Sequence, residues 1–216
     1  MSTTDTTPVD LVDFASMQHR IQYMVDAFGS HLGGKVLDVG CAQRYLHKMR
    51  PDLEYTGIDM GGEPDMRINL EAIEKLPFED GQFNGVVCCD VLEHLNNLHH
   101  TFGELVRVTN DTLIISLPNC WTAARMRIAR GHGEIGLYGL TPEAPEDRHK
   151  WFFSLTEGQA FICGMAEKHK LDLVDARITE KPRSAAVRAL RRLRHPVREH
   201  YLNRYAHTLW AVFKKK

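Results

Sequence analysis

Short apolar runs and helical repeats of apolar residues alternate along most of the chain. Continuous apolar runs that end at Gly, Pro or Asp are typical of parallel strands buried on both faces, whereas apolar residues at every third or fourth position predict amphipathic helices. We predict strands at 35–39, 54–58, 65–68, 82–89, 112–117, 171–178 and 205–213. We predict helices at 10–28, 44–49, 97–108, 121–130 and 156–169. Strands and helices that alternate in this way form a parallel sheet with right-handed crossovers.

Three segments lie outside this alternation. Residues 1–9 are polar and predict a flexible tail, whereas residues 131–150 are rich in Gly, Pro and charge and predict a long loop. Loops of that length in compact domains are usually functional, so we expect 131–150 to be an active-site loop. A basic insertion at 179–204 separates the last two strands. Because no internal repeat or linker divides the chain, the sequence predicts a single domain over 1–216.

The basic insertion carries much of the positive charge of the second half of the chain. Residues 1–110 hold 17 acids and 8 bases, whereas residues 111–216 hold 11 acids and 19 bases. A basic amphipathic helix is predicted by apolar residues that recur between arginines, at Val187, Leu190, Leu193 and Val197 against Arg188, Arg191, Arg192, Arg194 and Arg198. One interpretation is a solvated surface helix. The other is that residues 181–204 contact phosphate groups, RNA or an anionic membrane surface.

The remaining bulk features indicate a protein of the cytoplasm. No apolar run approaches the roughly 18 residues that a membrane-spanning helix needs. The polar, acidic start of the chain lacks the basic and apolar regions of a signal peptide. None of the five cysteines forms a C-x-x-C pair, so we expect free, mostly buried thiols in a reducing compartment.

Candidate chemistry begins at the first predicted strand. Asp38 lies inside this buried strand, and Gly40 ends it, where glycine permits a tight turn and close approach of a ligand. Asp59 ends the next strand about 20 residues later, which is where a dinucleotide-binding fold places the acid that binds ribose hydroxyls. The turn after Gly40 lacks the three spaced glycines that accommodate a pyrophosphate. A nucleoside ligand without a diphosphate fits this combination, and a nicotinamide-dependent oxidoreductase does not.

Four motifs in order extend this pattern. Residues 36–42 read Val-Leu-Asp-Val-Gly-Cys-Ala, and residues 76–83 read Leu-Pro-Phe-Glu-Asp-Gly-Gln-Phe. Residues 90–95 read Asp-Val-Leu-Glu-His-Leu, and residues 113–119 read Leu-Ile-Ile-Ser-Leu-Pro-Asn. Together they resemble the class I (Rossmann-like) S-adenosylmethionine-dependent methyltransferases, in particular the subgroup of ubiquinone-pathway O-methyltransferases and methyltransferase-like methionine-biosynthesis proteins. The resemblance covers roughly residues 35–156.

The resemblance implies a fold and a cofactor site. The fold would be an α/β, Rossmann-like seven-stranded sheet, mostly parallel, with flanking helices and an antiparallel last strand. The cofactor would be S-adenosyl-L-methionine, and its expected contacts run from the methionine end through the ribose and adenine to the sulfonium: Asp38, Gly40, Cys41, Asp59, Met60, Asn69, Leu70, Asp90 and Val91. Alanine and glutamine at positions 42 and 43 depart from the further glycine that the family often has.

An oxygen or nitrogen acceptor also needs a base. His94, just past the fourth predicted strand, and His149, in the long loop, are our candidate catalytic residues, and each could instead be a structural histidine. An aromatic acceptor pocket could be built from the aromatic residues that follow the fifth strand, which are Trp121, Tyr138, Trp151, Phe152 and Phe153.

The stretch around His94 also raises a metal hypothesis. Asp90, Glu93 and His94 resemble the acid-x-x-acid-His spacing by which some ubiquinone-pathway and small-RNA 3′-end methyltransferases hold a divalent metal. The RNA enzymes add a histidine in a segment similar to residues 147–152, which would make His149 a fourth ligand. Such ligands suit magnesium or manganese. Metal-free relatives share the spacing, and we favour a site without metal.

The resemblance implies methyl transfer as the function. We predict a small-molecule or carrier-linked acceptor that is methylated on oxygen. One alternative is a metal-assisted RNA ribose 2′-O-methyltransferase. Another is a non-catalytic partner protein that retains the methyltransferase fold.

Overall fold

The computed structural model describes residues 6–143, 145 and 147–216. Its strands are β1 (Val9–Leu11), β2 (Lys35–Val39), β3 (Glu54–Asp59), β4 (Met66–Arg67), β5 (Phe83–Cys89), β6 (Thr109–Pro118), β7 (Leu171–Glu180) and β8 (Ala206–Lys215). Its α-helices are α1 (Met17–Phe28), α2 (Tyr45–Met49), α3 (Leu98–Val108), α4 (Cys120–Ala129), α5 (Leu155–His169), α6 (Ala185–Arg194) and α7 (Arg198–Tyr205).

All the strands form one sheet in the order β1-β7-β8-β6-β5-β2-β3-β4. Strand β8 runs antiparallel to both of its neighbours, β6 and β7, and the other pairs are parallel. The chain passes from β2 to β3 on one side, while β5 lies on the other side of β2. In open α/β sheets, such a change of direction leaves a crevice at the carboxyl ends of the strands, where ligands bind.

The α/β class, the mostly parallel sheet and the antiparallel last strand are confirmed, but the sheet has eight strands among the described residues instead of seven. The additional strand, β1, pairs in parallel with the edge strand β7, with Val9 opposite Ile178. Residue 9 therefore does not belong to a loose tail, and residues 1–5 lie outside the described part. Three residues are too short to show a period of two, so only the pairing with β7 reveals this strand.

The lead-in helix is also shorter than predicted, since α1 begins at Met17 and residues 10–11 are in β1. Ser16 caps the helix, and its hydroxyl oxygen accepts a hydrogen bond from the His19 amide at 3.2 Å. The cap satisfies an amide that the first helical turn leaves without a partner.

Two apolar layers cover the two faces of the sheet. On one face, α3 and α5 bury Phe102 and Ile162 against strand residues that include Phe213. On the other face, α1 and α2 bury Phe28 and Leu46, and Phe28 packs near Trp210. With both faces covered, the carboxyl edge of the sheet is where polar strand-end residues meet solvent.

The basic insertion forms two helices, α6 and α7, where the sequence predicted one. The interruption at residues 195–197 contains Pro196, whose ring removes a backbone donor and clashes with the preceding turn. The long loop contains one short 3₁₀ turn at Gly136–Tyr138.

The structure bears on the expectations about the cysteines and about membrane-spanning helices. Cys41, Cys88, Cys89 and Cys120 are buried and carry free thiols, and Cys163 is half-buried. Within the described residues, every helix is too short or too polar to cross a bilayer.

Candidate functional site

The turn after β2 is the centre of the candidate site. Gly40 has φ +76°, and a Cβ at this position would lie 2.2 Å from Cγ2 of Val91, which follows β5. The Gly40 amide donates to the Ile58 carbonyl at 2.9 Å, so the turn is fixed to β3 as well. Only glycine satisfies both the left-handed backbone and the close approach. The structure thus brings Gly40 and Val91 together at the ends of β2 and β5.

Unusual backbone angles concentrate at this edge of the sheet. Ala42, Arg44 and Asp90 all have φ between +47° and +56°, although none is a glycine. Such conformations cost about 1–3 kcal/mol each and persist where the surroundings enforce them, which is frequent at ligand-binding sites. The strain therefore marks the loops after β2 and β5 as a candidate site.

Asp59, at the end of β3, is held in a defined position. Its Oδ2 accepts from the Ala42 amide at 2.9 Å, and its Oδ1 accepts from the Gly61 amide at 3.0 Å. A Cβ on Gly62 would lie 2.1 Å from the Ala42 carbonyl oxygen, so the loops after β2 and β3 touch. Each carboxylate oxygen retains acceptor capacity beyond one hydrogen bond. The half-buried carboxylate fits two adjacent ribose hydroxyls.

Asp38, inside β2, is hydrogen-bonded to a tyrosine of the neighbouring strand β3. The carboxylate is buried, and its Oδ2 accepts from the Tyr55 hydroxyl at 2.9 Å. Burial raises the pKa of Asp38 to about 7; the Tyr55 hydrogen bond opposes this rise, and the nearby Asp59 adds to it. Asp38 therefore lies buried within β2 beneath the Gly40 turn, and it holds its proton far more tightly than an exposed carboxyl does.

The other expected cofactor contacts lie on the loops after β2, β3 and β4. Met60 is 63 % exposed beside Asp59, which leaves an apolar surface free for an adenine ring. Asn69 accepts from the Glu71 amide through Oδ1 at 3.0 Å, and the Leu70 carbonyl accepts from Asn97 at 2.9 Å. Cys41 is buried against β3, where its Sγ would lie 2.9 Å from a Cβ on Gly57.

Arg20 is a residue of the site that the sequence analysis missed. It extends from α1 to the end of β5, where its guanidinium pairs with the Asp90 carboxylate and donates to Thr208 Oγ1 at 3.3 Å. The Asp90 Oδ1 accepts from the Ser116 hydroxyl at 3.0 Å. The only sequence signal was an arginine within an amphipathic helix, which is too common to single out.

A second cluster lies immediately after β5. Glu93, His94 and His149 offer ligand atoms that all lie within 4.8 Å of one another. Glu93 is 1 % exposed, burial and the nearby Asp90 raise its pKa well above its ordinary value, and its Oε2 has no hydrogen-bond partner among the described residues. Asp90, which the metal hypothesis also names as a ligand, pairs with Arg20 and accepts a hydrogen bond from Ser116.

Each histidine of this cluster has a polar group beside its Nδ1. His94 Nδ1 lies 2.6 Å from Asp147 Oδ1 without the alignment of a hydrogen bond, and His94 Nε2 lies 3.9 Å from Glu93 Oε1. His149 Nδ1 and the Tyr138 hydroxyl are hydrogen-bonded at 2.6 Å. Burial lowers the pKa of His149 to about 4, with the nearby His94 as a further cause, so His149 is neutral at pH 7. A neutral imidazole fixed through one nitrogen can accept a proton or a metal at the other.

The long loop is tied down beside this cluster. The Lys150 amide donates to the Glu93 carbonyl at 2.8 Å, and Trp151 Nε1 donates to the Leu95 carbonyl at 2.7 Å. A cavity of about 260 Å³ follows, lined by Trp151, Phe152 and Phe153. These contacts place the end of the predicted loop, and three of the five predicted pocket aromatics, next to the histidines.

Comparisons with known proteins bear on this geometry. Residues 37–112 match the family model described as "Methyltransferase domain". A ubiquinone biosynthesis O-methyltransferase of Escherichia coli O157:H7 is 34 % identical over 117 residues, which cover 45 % of this chain and 49 % of that protein. The corresponding protein of Aeromonas salmonicida is 28 % identical over 167 residues, covering 68 % of this chain and 67 % of that protein. The chain thus spans about half the length of the Escherichia coli relative.

A solved structure has the same architecture. A SAM-dependent methyltransferase from Archaeoglobus fulgidus superposes with a TM-score of 0.58 at 16 % identity, over 92 % of this chain and 93 % of that one. At this identity the likeness shows the fold. The family model matched by residues 37–112 bears out the resemblance that the four motifs carried, and the superposition shows the Rossmann-like fold of that class.

Proposed function

We propose that this protein is an S-adenosylmethionine-dependent methyltransferase that methylates an oxygen of a small or carrier-linked metabolite. The observation that carries the proposal is Asp59, held by the Ala42 and Gly61 amides at the switch point of the sheet with spare acceptor capacity for a ribose diol. The matched methyltransferase model, residues 37–112, includes this residue. The buried free thiols fit a reducing compartment, so a cytoplasmic location is part of the proposal.

In the proposal, the residues at the strand ends bind different parts of the cofactor. When bound, the cofactor supplies a methyl group activated by its sulfonium. In the proposal, Asp59 accepts the ribose hydroxyls, Met60 borders the adenine, and the Gly40 turn lets the backbone approach the methionine end. Asn69 and Leu70 border the adenine edge, and Asp90 and Val91 lie beneath the reacting centre. Holding two reactants in line is the main way in which a protein accelerates such a displacement.

His94 and His149 are the proposed bases. In the proposal, the Asp147 carboxylate lies beside Nδ1 of His94, and Nε2 of His94 accepts the proton of an acceptor hydroxyl. His149 is neutral at pH 7 and lies beside His94, with ring centroids 4.6 Å apart. The neighbouring aromatic cavity would seat the acceptor and exclude water.

Calorimetric titration with S-adenosylhomocysteine, with NADH as a control ligand, tests the cofactor. We expect micromolar binding of the first and none of the second. Asp59→Asn should weaken binding about tenfold or more, since hydrogen bonds to a charged group contribute about 1.5–3 kcal/mol. Glu63→Gln, an exposed acid on the same loop, is the matched control and should bind as wild type. If neither ligand binds wild type, the proposal fails and the non-catalytic alternative is preferred.

A second candidate function is favoured by the Glu93, His94 and His149 cluster. A buried Glu93 carboxylate oxygen without a partner, beside the His94 ring and a His149 ring that is fixed through Nδ1, fits a divalent metal. Glu93 Oε, His94 Nε2 and His149 Nε2 would hold the ion. A bound ion would polarise adjacent hydroxyls, which would suit methylation of an RNA ribose at its 2′ oxygen.

Metal binding itself separates the two candidates. Titration of chelator-treated protein with manganese should show one site per chain in the metal-assisted alternative, and Glu93→Gln should abolish it while S-adenosylhomocysteine binding persists. Activity that survives chelation, with no bound manganese, would exclude that alternative and leave the histidines as bases.

A further inference from the structure

Helix α6 is oriented against the ordinary pattern of a surface helix. Its apolar residues face solvent, with Leu190 67 % and Leu193 80 % exposed. Its partly buried positions are instead Arg188 and Arg191, followed by His195 at the helix end. Apolar side chains are less favourable in water than when they are buried. The arginines of α6 face inward although this exposes its apolar residues. We therefore expect their charges to interact with a group between α6 and the rest of the protein.

The inward cations converge on one aromatic ring. The guanidinium carbons of Arg191, Arg125 and Arg204 lie 4.3, 5.2 and 6.0 Å from the centroid of the Tyr205 ring. They come from three different helices, α6, α4 and α7. The His195 ring lies 5.8 Å from the same centroid. We call this group the arginine cluster.

The arginine cluster is short of negative charge. Within the described part of the chain, no carboxylate oxygen lies within 4 Å of a guanidinium nitrogen of Arg125 or Arg204, and the Nε of each is buried without an acceptor. Arg191 has an ion pair with Glu180 at 3.4 Å, but Glu180 also accepts from the Tyr201 hydroxyl. Burial and the repulsion of Arg204 and Arg191 lower the pKa of Arg125. Uncompensated cations with unused donors favour an anionic ligand.

A cavity of suitable size opens at this cluster. It has a volume of about 440 Å³ and lies between α4, α6 and the start of β8. Besides Arg125, Arg191 and Tyr205, its lining carries three more cations, Arg130, Lys181 and Arg183, and the imidazole of His207, whose pKa burial lowers. Lys181 is paired with Asp13 at 2.9 Å and Arg191 with Glu180 at 3.4 Å, whereas Arg125 and Arg130 have no ion pair with a carboxylate among the described residues.

An apolar trough adjoins the cavity. It has a volume of about 570 Å³, shares Arg125 as a wall, and is lined on its other side by Trp121, Ile128 and Phe152. The Phe152 ring lies 4.9 Å from the Tyr138 ring, and Tyr138 is hydrogen-bonded to His149. The trough therefore connects the arginine cluster with the residues proposed for the chemistry.

We propose that the arginine cluster binds a phosphate or diphosphate group of the methyl acceptor, with the apolar part of the acceptor in the trough. The identification of the ligand as the methyl acceptor rests on the proposed function. The anion site itself is inferred from the contacts of the arginine cluster alone. Planar guanidinium forks match phosphate oxygens in pairs, which favours phosphate over a single carboxylate at a site with several arginines.

Calorimetric titration with inorganic pyrophosphate, and with octyl phosphate against octanol, tests the site. We expect binding of pyrophosphate and of octyl phosphate, tighter binding of octyl phosphate than of inorganic phosphate titrated in parallel, and no binding of octanol. Arg125→Gln and Arg130→Gln should each weaken phosphate binding about tenfold or more, as expected for the loss of charge-assisted hydrogen bonds. Arg130 is exposed, so its variant folds even if Arg125→Gln does not. Arg194→Gln is the matched control, since it removes an exposed cation of α6 outside the cavity lining.

The controls separate this inference from the function on which it rests. All variants should bind S-adenosylhomocysteine as wild type does, and wild type that binds phosphate but not S-adenosylhomocysteine would overturn only the proposed function. Equal weakening by Arg194→Gln and Arg125→Gln would show nonspecific charge attraction and overturn the site. Binding only to phosphatidylglycerol vesicles, or only to a 20-nucleotide RNA, would overturn it in favour of an extended anionic surface.

Discussion

At the scale of single residues, Asp38 shows how burial changes the chemistry of a strand residue. An acid in a buried strand beside Gly40 is visible in the sequence, but its partner Tyr55 is not. The Tyr55 ring lies between the His47 ring at 4.9 Å and the Arg44 guanidinium at 5.2 Å, which fixes the hydroxyl that reaches Asp38. Burial outweighs the opposing effect of this hydrogen bond, so the Asp38 carboxyl retains its proton to near neutral pH.

Asp38 therefore predicts a pH dependence of stability. Its pKa is about 7 in the folded protein against an ordinary 3.8, so the folded state binds the proton more tightly than the unfolded chain. The resulting stabilisation is complete below about pH 4 and is lost as the pH rises to 7. A shift of this size corresponds to at most about 4 kcal/mol. Urea denaturation of wild type and Asp38→Asn at pH 5, 6, 7 and 8 measures it, because asparagine cannot ionise.

The companion variant is Tyr55→Phe. Removal of the hydroxyl leaves the ionised carboxylate without its donor, so the pKa of Asp38 should rise further and the loss of stability should extend to higher pH. Parallel pH profiles for wild type and Asp38→Asn would contradict the assignment.

At the scale of elements, α6 and α7 demonstrate that an amphipathic pattern does not fix which face a helix buries. The same repeat of apolar residues and arginines suits either orientation. In the structure, α7 buries Tyr201 and Leu202 in the ordinary way, whereas α6 turns its arginines inward. The inward face is determined by Tyr205, Glu180 and Arg125, which lie on other elements.

This orientation predicts opposite outcomes for leucines in adjacent helices. Leu193→Gln should change the free energy of unfolding by less than about 0.5 kcal/mol, since the side chain is mostly in water. Leu202→Ala should cost about 2–5 kcal/mol, since that side chain is 1 % exposed. Chemical denaturation of both variants measures the difference. A large loss for Leu193→Gln would mean that another protein surface covers α6.

At the scale of the whole molecule, the long loop connects the sheet edge to the acceptor side. The Trp151 indole is its main tie, since Nε1 donates to the Leu95 carbonyl 56 positions earlier. Beyond this bond, the His99 ring contacts the Trp151 ring at 5.7 Å. The loop, the histidine cluster and the aromatic cavity are thereby joined in one region.

Trp151→Phe should make the long loop more mobile while an aromatic ring still fills the position of the indole. The ring remains, but the Leu95 carbonyl loses its donor, at a cost of about 1 kcal/mol. Proteolysis under native conditions should therefore cut within residues 131–150 faster than in wild type. Trp121→Phe is the control, because Trp121 is half exposed and has no hydrogen bond from its indole among the described contacts. Equal cleavage rates in the two variants would show that the indole bond does not hold the loop.

The sequence alone determined the parts of this protein that depend on neighbouring residues. Apolar runs, helical periods and turn residues act locally, so the strands from 35 to 117, the order of the four motifs, and the strand-end positions of Gly40 and Asp59 were predictable. The antiparallel last strand came from the resemblance. Element ends moved by a few residues, as at α1, where the cap residue Ser16 sets the start.

Tertiary structure decided which distant residues meet. Val9 pairs with Ile178 in β1 and β7, Arg20 pairs with Asp90, and Arg125 approaches Arg191 and Arg204 at Tyr205. Each of these contacts joins residues about 70 or more positions apart, and its energy depends on burial and distance, which a linear pattern does not contain. The sequence specifies the residue types. The ion pair of Asp90 with Arg20, the raised pKa of Asp38 and the shortage of negative charge at the arginine cluster arise only when packing brings the side chains together.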